Sequence, residues 1–195
     1  MSPEATKDKI LKVAMEVIAE KGYDSASLRE IAERAGVSKP LVIWYFGGKK
    51  GLVRKVAEKA LPRDVAENCL ELGYKGEELL KCIVERFMIK YSDNKMRKLL
   101  VHTLSLSFGD ESIGKELHSL CRETLSKIAR KSYGRSTLVT RSLIRFLFGA
   151  LLCHALNPVN KDELETYTRI LRLLTSPKTL SIISRSEELA ARGCD

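Results

Sequence analysis

Apolar residues recur at three- and four-residue intervals along almost the whole chain, the spacing of helices that bury one stripe. Ile10, Leu11, Ala14, Val17 and Ile18 form the first stripe; Ser2-Pro3 or Thr6 can start its helix and Gly22 stops it. Ser27 with Glu30 three residues on is a capping box, and it opens a second helix with the stripe Leu28, Ile31, Ala32 and Ala35, ending at Gly36. Ser38 caps a third helix from Lys39 to about Phe46, with Pro40 in the first turn, where the missing N–H would be unpaired anyway. Gly47-Gly48 separates it from a fourth helix that begins near Lys49 and ends before Pro62. Further helices follow, broken at 73–76, 92–94, 109–111, 134–136, 157–160 and 176–177; Leu79, Leu80, Ile83, Val84, Phe87, Met88 and Tyr91 make the clearest of their stripes. No segment shows hairpin alternation or a fixed repeat. The expected fold class is all-α, divided near Pro62 into residues 1–61 and 62–195.

Two short helices joined by Gly36-Val37, with small residues at Ala32, Ala35 and Gly36 where they approach, form a helix-turn-helix supported by the first helix. Residues 41–46, Leu-Val-Ile-Trp-Tyr-Phe, are apolar or aromatic throughout, so this helix cannot bury every face in a three-helix module. Val42 and Phe46, four apart, are the natural inward pair. Lys39, Pro40, Leu41, Ile43 and Trp44 are left on the outer side.

Charge changes the reading of that outer face. The 195 residues carry 34 Lys and Arg against 25 Asp and Glu, a net +9; residues 1–60 hold 12 basic and 8 acidic groups. From 36 to 57 there are five cations, Lys39, Lys49, Lys50, Arg54 and Lys55, and no acid. An apolar helix flanked by cations suits the major groove, where apolar side chains touch thymine methyls and cations meet phosphates. The alternative is that this face packs on another subunit.

Composition excludes several classes. A chain of this size buries on the order of 70% of its unfolded surface, enough for a core without metals or crosslinks. The apolar run 146–156 is interrupted by Gly149 and His154 and falls short of the ~18 residues of a membrane span, and the N-terminus lacks the pattern of a secretory signal. Cys69, Cys82, Cys121, Cys153 and Cys194 are odd in number with no CxxC, so they read as reduced thiols of a cytoplasmic protein. His118 and Cys121 share a helical face but lack a second pair of ligands, and His154 beside Cys153 is no better; neither a metal nor a cofactor is expected.

The run from 10 to 52, with Ala14, Glu20-Lys21-Gly22-Tyr23, Ile31-Ala32, Ala35-Gly36-Val37-Ser38-Lys39, Trp44-Tyr45-Phe46, Lys49 and Leu52, resembles the N-terminal domain of the tetracycline-repressor (TetR) family of transcriptional regulators. The resemblance covers about a quarter of the chain. It implies a subunit of nine or ten helices, with residues 1–61 as the helix-turn-helix DNA-binding domain and 62–195 as the effector-binding and dimerisation domain. It also implies a homodimeric repressor on a palindromic double-stranded DNA operator, from which a small-molecule effector releases it, with no enzymatic activity and no membrane partner. Carried over by position, Arg29 reads a base edge and Ser38, Lys39, Tyr45 and Lys49 bind phosphate. Ser27, Pro40, Leu41, Ile43 and Trp44 complete the DNA-binding set. For Arg29 the alternative is a surface pair with Glu33 at i+4; for Lys49 the amides at the start of the fourth helix give an independent reason. Ile43 departs from the family, which usually has a Tyr there, Pro40 and Leu41 stand where small residues are frequent, and Gly48 replaces a polar cap.

Beyond 61 the expectations rest on pattern and the family plan. The apolar segment 138–156 and the stripe Tyr167, Ile170, Leu171 and Leu174 are the candidate dimer interface. Phe87, Met88, Tyr91, His102, Phe108 and Phe146 are candidates for an effector pocket. Two other classes remain open: a dimeric helical interaction module without DNA binding, and a small helical enzyme using Cys121 with His118 or His154.

Overall fold

The computed structural model describes residues 2–156 continuously, except for the side chains of 154–156, and beyond them Thr166, Arg169, Ile170, Leu173, Ser176, Lys178, Thr179, Ser181, Ile182 and Arg185. Among the described residues there are nine helices and no strand: α1 (Pro3–Ser25), α2 (Leu28–Ala35), α3 (Lys39–Phe46), α4 (Lys49–Ala60), α5 (Arg63–Glu71), α6 (Gly76–Ser92), α7 (Asn94–Gly109), α8 (Glu111–Tyr133) and α9 (Leu138–Leu156). The all-α reading therefore holds. Of the expected stripe after α9, Tyr167, Leu171 and Leu174 lie outside the described residues, as does Cys194, and Ile170 is exposed.

Local chemistry sets the helix ends. Ser2 caps α1 by accepting from the Ala5 amide, and Gly22 breaks the same helix with φ +79°, where the stripe pattern ends it; the chain resumes helical geometry to Ser25. Asp93 caps α7 through the Lys95 amide. Asp110 accepts from the Ile113 amide at the start of α8, and this N–H, with Lys50 beside it, holds the Asp110 carboxyl below its ordinary range.

The chain forms two compact units. The first comprises Met1–Arg63 and Asp93–Ser119, the second Asp64–Ser92 and Leu120 onward. In the first, Ile10, Ala14, Val17 and Ile18 of α1 are wholly buried, and α1 packs on α2, α4 and α7, while α4 also packs on α7. Leu99, Leu100 and Thr103 supply the α7 side of that core and Ile113 and Leu117 the α8 side. A sequence division at 61 separates what packing unites, because the apolar face of α7 is covered by α1 and α4.

In the second unit α6 packs on α9. Phe87 meets Tyr91 at 4.4 Å between ring centroids and Phe148 edge-on at 6.4 Å, within a core that includes Ile83, Ile128, Ile144 and Leu151. Burial pushes the Tyr91 phenol well above its ordinary range. Cys69 on α5 and Cys82 on α6 are joined as a disulfide, with Cα atoms 6.0 Å apart. This corrects the expectation of five reduced thiols: an odd count does not forbid a pair, and a short connection between α5 and α6 brings residues thirteen apart together. Cys121 and Cys153 are exposed and lie outside this disulfide.

Among the described residues no single helix is long and apolar enough to cross a membrane.

Candidate nucleic-acid interface

The helix-turn-helix is built by its caps. Ser27 Oγ accepts from the Glu30 amide at 3.1 Å to start α2. Gly36 closes α2 in the left-handed conformation, φ +64°, with its own amide on the Glu33 carbonyl and the Val37 amide on the Ala32 carbonyl. Two residues later Ser38 Oγ accepts from the Leu41 amide at 3.4 Å and starts α3. The two serine hydroxyls proposed to meet DNA thus serve the helix starts. The buried faces of Ile31, Ala32 and Ala35 hold α2 against α1, and α2 in turn holds α3.

Side-chain pairs fix α2 to α1 from outside. Glu30 accepts from Lys21 at 2.7 Å and from Arg34 at 2.8 Å, and Arg34 also reaches Glu20 at 2.9 Å. The Lys21 hydrogen bond, more than any other contact, holds the Glu30 carboxyl below its ordinary range. The i,i+4 spacing of Glu30 and Arg34 was a usable sequence signal for part of this network.

α3 presents the face its sequence requires. Val42 and Phe46 are buried; Leu41 and Tyr45 are half-buried; Lys39, Pro40, Ile43 and Trp44 are exposed, Trp44 by 74%. Tyr45 steadies Trp44 through an edge-on contact at 4.8 Å. The junction with α4 admits only glycine at 51, because a Cβ there would lie 1.8 Å from the Phe46 carbonyl oxygen. That contact sets α4 directly against the end of α3.

Three dimensions redistribute the run of five cations. Lys50 pairs with Asp110 at 3.2 Å and Lys55 with Glu58 at 2.8 Å. Arg54 Nε lies 2.6 Å from Glu116, an ion pair without hydrogen-bond geometry. Asp110 and Glu116 are some sixty residues further along the chain, so no local pattern announces them. Lys39 has no carboxylate partner among the described residues. Lys49, in the first turn of α4, donates to the Asp24 carbonyl at 2.9 Å. Arg29 makes the i,i+4 pair with Glu33 at 2.8 Å on an exposed surface, and that hydrogen bond raises its pKa.

The residues expected to form an effector pocket are divided between the two units. Phe87 and Tyr91 are core and Met88 is half-buried in the second unit; His102 is half-buried in the first, against Gly22. Phe108 and Phe146 point to solvent, 90% and 76% exposed, because each lies on the outward face of its helix; the expectation that they line an interior pocket is corrected. His118 and Cys121 are both exposed, and among the described residues no three His, Cys, Asp or Glu side chains converge as metal ligands.

The family described as "Bacterial regulatory proteins, tetR family" matches residues 10–56, which run from within α1 to within α4. The HTH-type transcriptional regulator BetI of Vibrio parahaemolyticus is 27% identical over 176 residues, covering 80% of this chain and 83% of that protein. The tetracycline repressor protein class C of Escherichia coli is 23% identical over 160 residues, covering 80% and 69%. The solved structure of Salmonella enterica GusR superposes with a TM-score of 0.72 at 16% identity, over 93% of this chain and 98% of that one, which shows the shared fold. Relatives of this kind are transcription regulators and not enzymes. With its capped helix-turn-helix and its outward apolar helix, the segment 10–56 is a DNA-binding domain of the tetR family, and the chain is similar to transcriptional regulators of that family over most of its length.

Proposed function

We propose that the protein is a cytoplasmic repressor, acting as a homodimer on paired half-sites and released by a small-molecule effector. The observation that carries this reading is the outer face of α3, where Ile43 and the largely exposed Trp44 stand between Lys39 and Lys49, the two cations of the run without a carboxylate partner. In the major groove that face puts apolar contacts on base edges and cations on phosphates. Ser27, Pro40, Leu41 and Tyr45 border it, and the amide of Ser38 lies at the start of the same helix. Arg29 exchanges Glu33 for a guanine edge on binding. Ile43 gives a base methyl an apolar contact in place of a phenolic hydroxyl to phosphate.

Residues 1–61 have the DNA role and 62–195 the effector and dimer roles. This is a division of labour, and it differs from the packing units because α7 is shared with the N-terminal core. Two half-sites about one duplex turn apart require two copies. The outward face of α9, with Leu138 and Phe146 exposed and the small residues Ser142, Gly149 and Ala150 between them, is the proposed contact with the second copy. An apolar effector among Phe87, Met88 and Tyr91 would act by preferring the subunit arrangement that spaces the recognition helices wrongly. The direction of control follows the relative named as a tetracycline repressor.

Selection of duplexes from a random library by the purified protein, followed by affinity measurements on the selected sequence, tests the reading. Lys49→Ala is expected to weaken all sequences alike and lower the salt slope by ~1, and Arg29→Ala to relax preference at one base pair by about tenfold or more. Failure to enrich any sequence at low salt would overturn it.

A further inference from the structure

The end of α1 is tied to α7 and, through one carbonyl, to the first turn of α4. At Gly22 the backbone takes φ +79°, and a Cβ there would sit 3.3 Å from the His102 Cε1 atom, so both conformation and space hold this position to glycine. Just beyond the bend Tyr23 is buried, and its Oη lies 2.8 Å from Thr103 Oγ1 on α7, a residue that is buried as well. Burial pushes the phenol up to about 12, so the hydroxyl keeps its proton at physiological pH. Asp24, the next residue, has an exposed side chain, but its carbonyl accepts from Lys49 Nζ at 2.9 Å. An ammonium has three protons, and this bond uses one of them. The other two remain for an acceptor, on a long side chain that is already held in place and loses less freedom on binding.

We propose that the Tyr23–Thr103 hydrogen bond is a positioning contact for DNA binding: it fixes the Asp24 carbonyl, which holds the Lys49 ammonium ready for a phosphate beside α3. The inference rests on the reading of Lys49 as a phosphate contact. Its consequence is regulatory. Thr103 belongs to α7, so a displacement of α7 that breaks the bond releases Lys49 and lowers DNA affinity without touching α3.

A double-mutant cycle on mixed-sequence duplex DNA at low ionic strength tests it. Tyr23→Phe, which removes only the hydroxyl, is expected to weaken binding by about three- to tenfold, the scale of one long side chain set free. Thr103→Ser keeps the hydroxyl and should bind as the wild type does, whereas Thr103→Val should match Tyr23→Phe. In a Lys49→Met background the Tyr23→Phe change should have no further effect. An equal penalty with and without Lys49 would overturn the inference, since a merely structural role for Tyr23 does not depend on that ammonium. If Lys49→Met weakens binding and Tyr23→Phe does not, only the positioning role falls; if Lys49→Met changes nothing, the phosphate reading fails and the inference with it. Should Tyr23→Phe fold poorly in a thermal melt, Thr103→Val carries the same cycle.

Discussion

Trp44 on α3 and Phe146 on α9 are large aromatic side chains left in solvent to nearly the same extent. Their surroundings differ. α3 has eight residues, a rod of about 12 Å, and cations stand at its start and just past its end. α9 has nineteen, a length of about 28 Å, and its exposed face alternates Leu138 and Phe146 with Ser142, Gly149 and Ala150, residues small enough for another helix to approach. Arg145 is the one cation lining the shallow depression there. An exposed aromatic therefore does not name its partner; what sets the two faces apart is the charge beside one and the small residues beside the other.

The comparison breaks most visibly at α9. On the proposed reading Phe146→Glu separates the copies, read by sedimentation, and with them the linkage of two half-sites, so affinity for a paired site falls by about 100-fold or more. Binding to a single half-site should be nearly unchanged. A Phe146→Glu protein that still sediments as the wild type would remove α9 from the interface.

The matching change on α3, Trp44→Ala, should leave oligomeric state and melting temperature alone, because the indole is largely exposed, and weaken DNA binding by about tenfold. A Trp44→Ala protein that dissociates instead would exchange the roles of the two faces.

The smallest effect sharpens the charge argument. Asp110→Asn keeps an acceptor for the Ile113 amide and frees Lys50, so binding at low salt should rise about threefold and the salt slope should steepen by up to ~1. Because the Asp110 pKa is lowered in the fold, its ionised form stabilises the protein above the unfolded pKa, and that contribution is lost as pH falls through the folded value. The difference in melting temperature between wild type and Asp110→Asn should accordingly be full at neutral pH and vanish in acid.

What the sequence disclosed was local. Ser27, Gly36, Ser38 and Gly47 mark the ends of α2 and α3 by side-chain and backbone preferences that act within four residues, and Val42 and Phe46 turn inward because one helical period fixes their relation. What it concealed was distant. Lys50 and Arg54 meet Asp110 and Glu116 only because α4 packs on α7 and the start of α8 follows, and Cys69 meets Cys82 only because the chain turns back between α5 and α6. The exposure of Phe108 and Phe146 was hidden for the same reason: periodicity groups residues on a face but does not say whether another element covers it. Tyr23 was read as part of a motif, and nothing local pointed to Thr103, eighty residues away.

The withdrawal of Lys50, Arg54 and Lys55 into ion pairs bears on how the protein would find a duplex. A broad positive face would attract DNA from many directions and hold it in many orientations. Two cations astride an indole form a narrow focus of potential, so that most encounters arriving there would already be aligned with the groove. On this reading salt would slow arrival in proportion to those two charges, while the rate of departure would be set by withdrawal of Trp44 and Ile43 from the bases, which salt hardly alters.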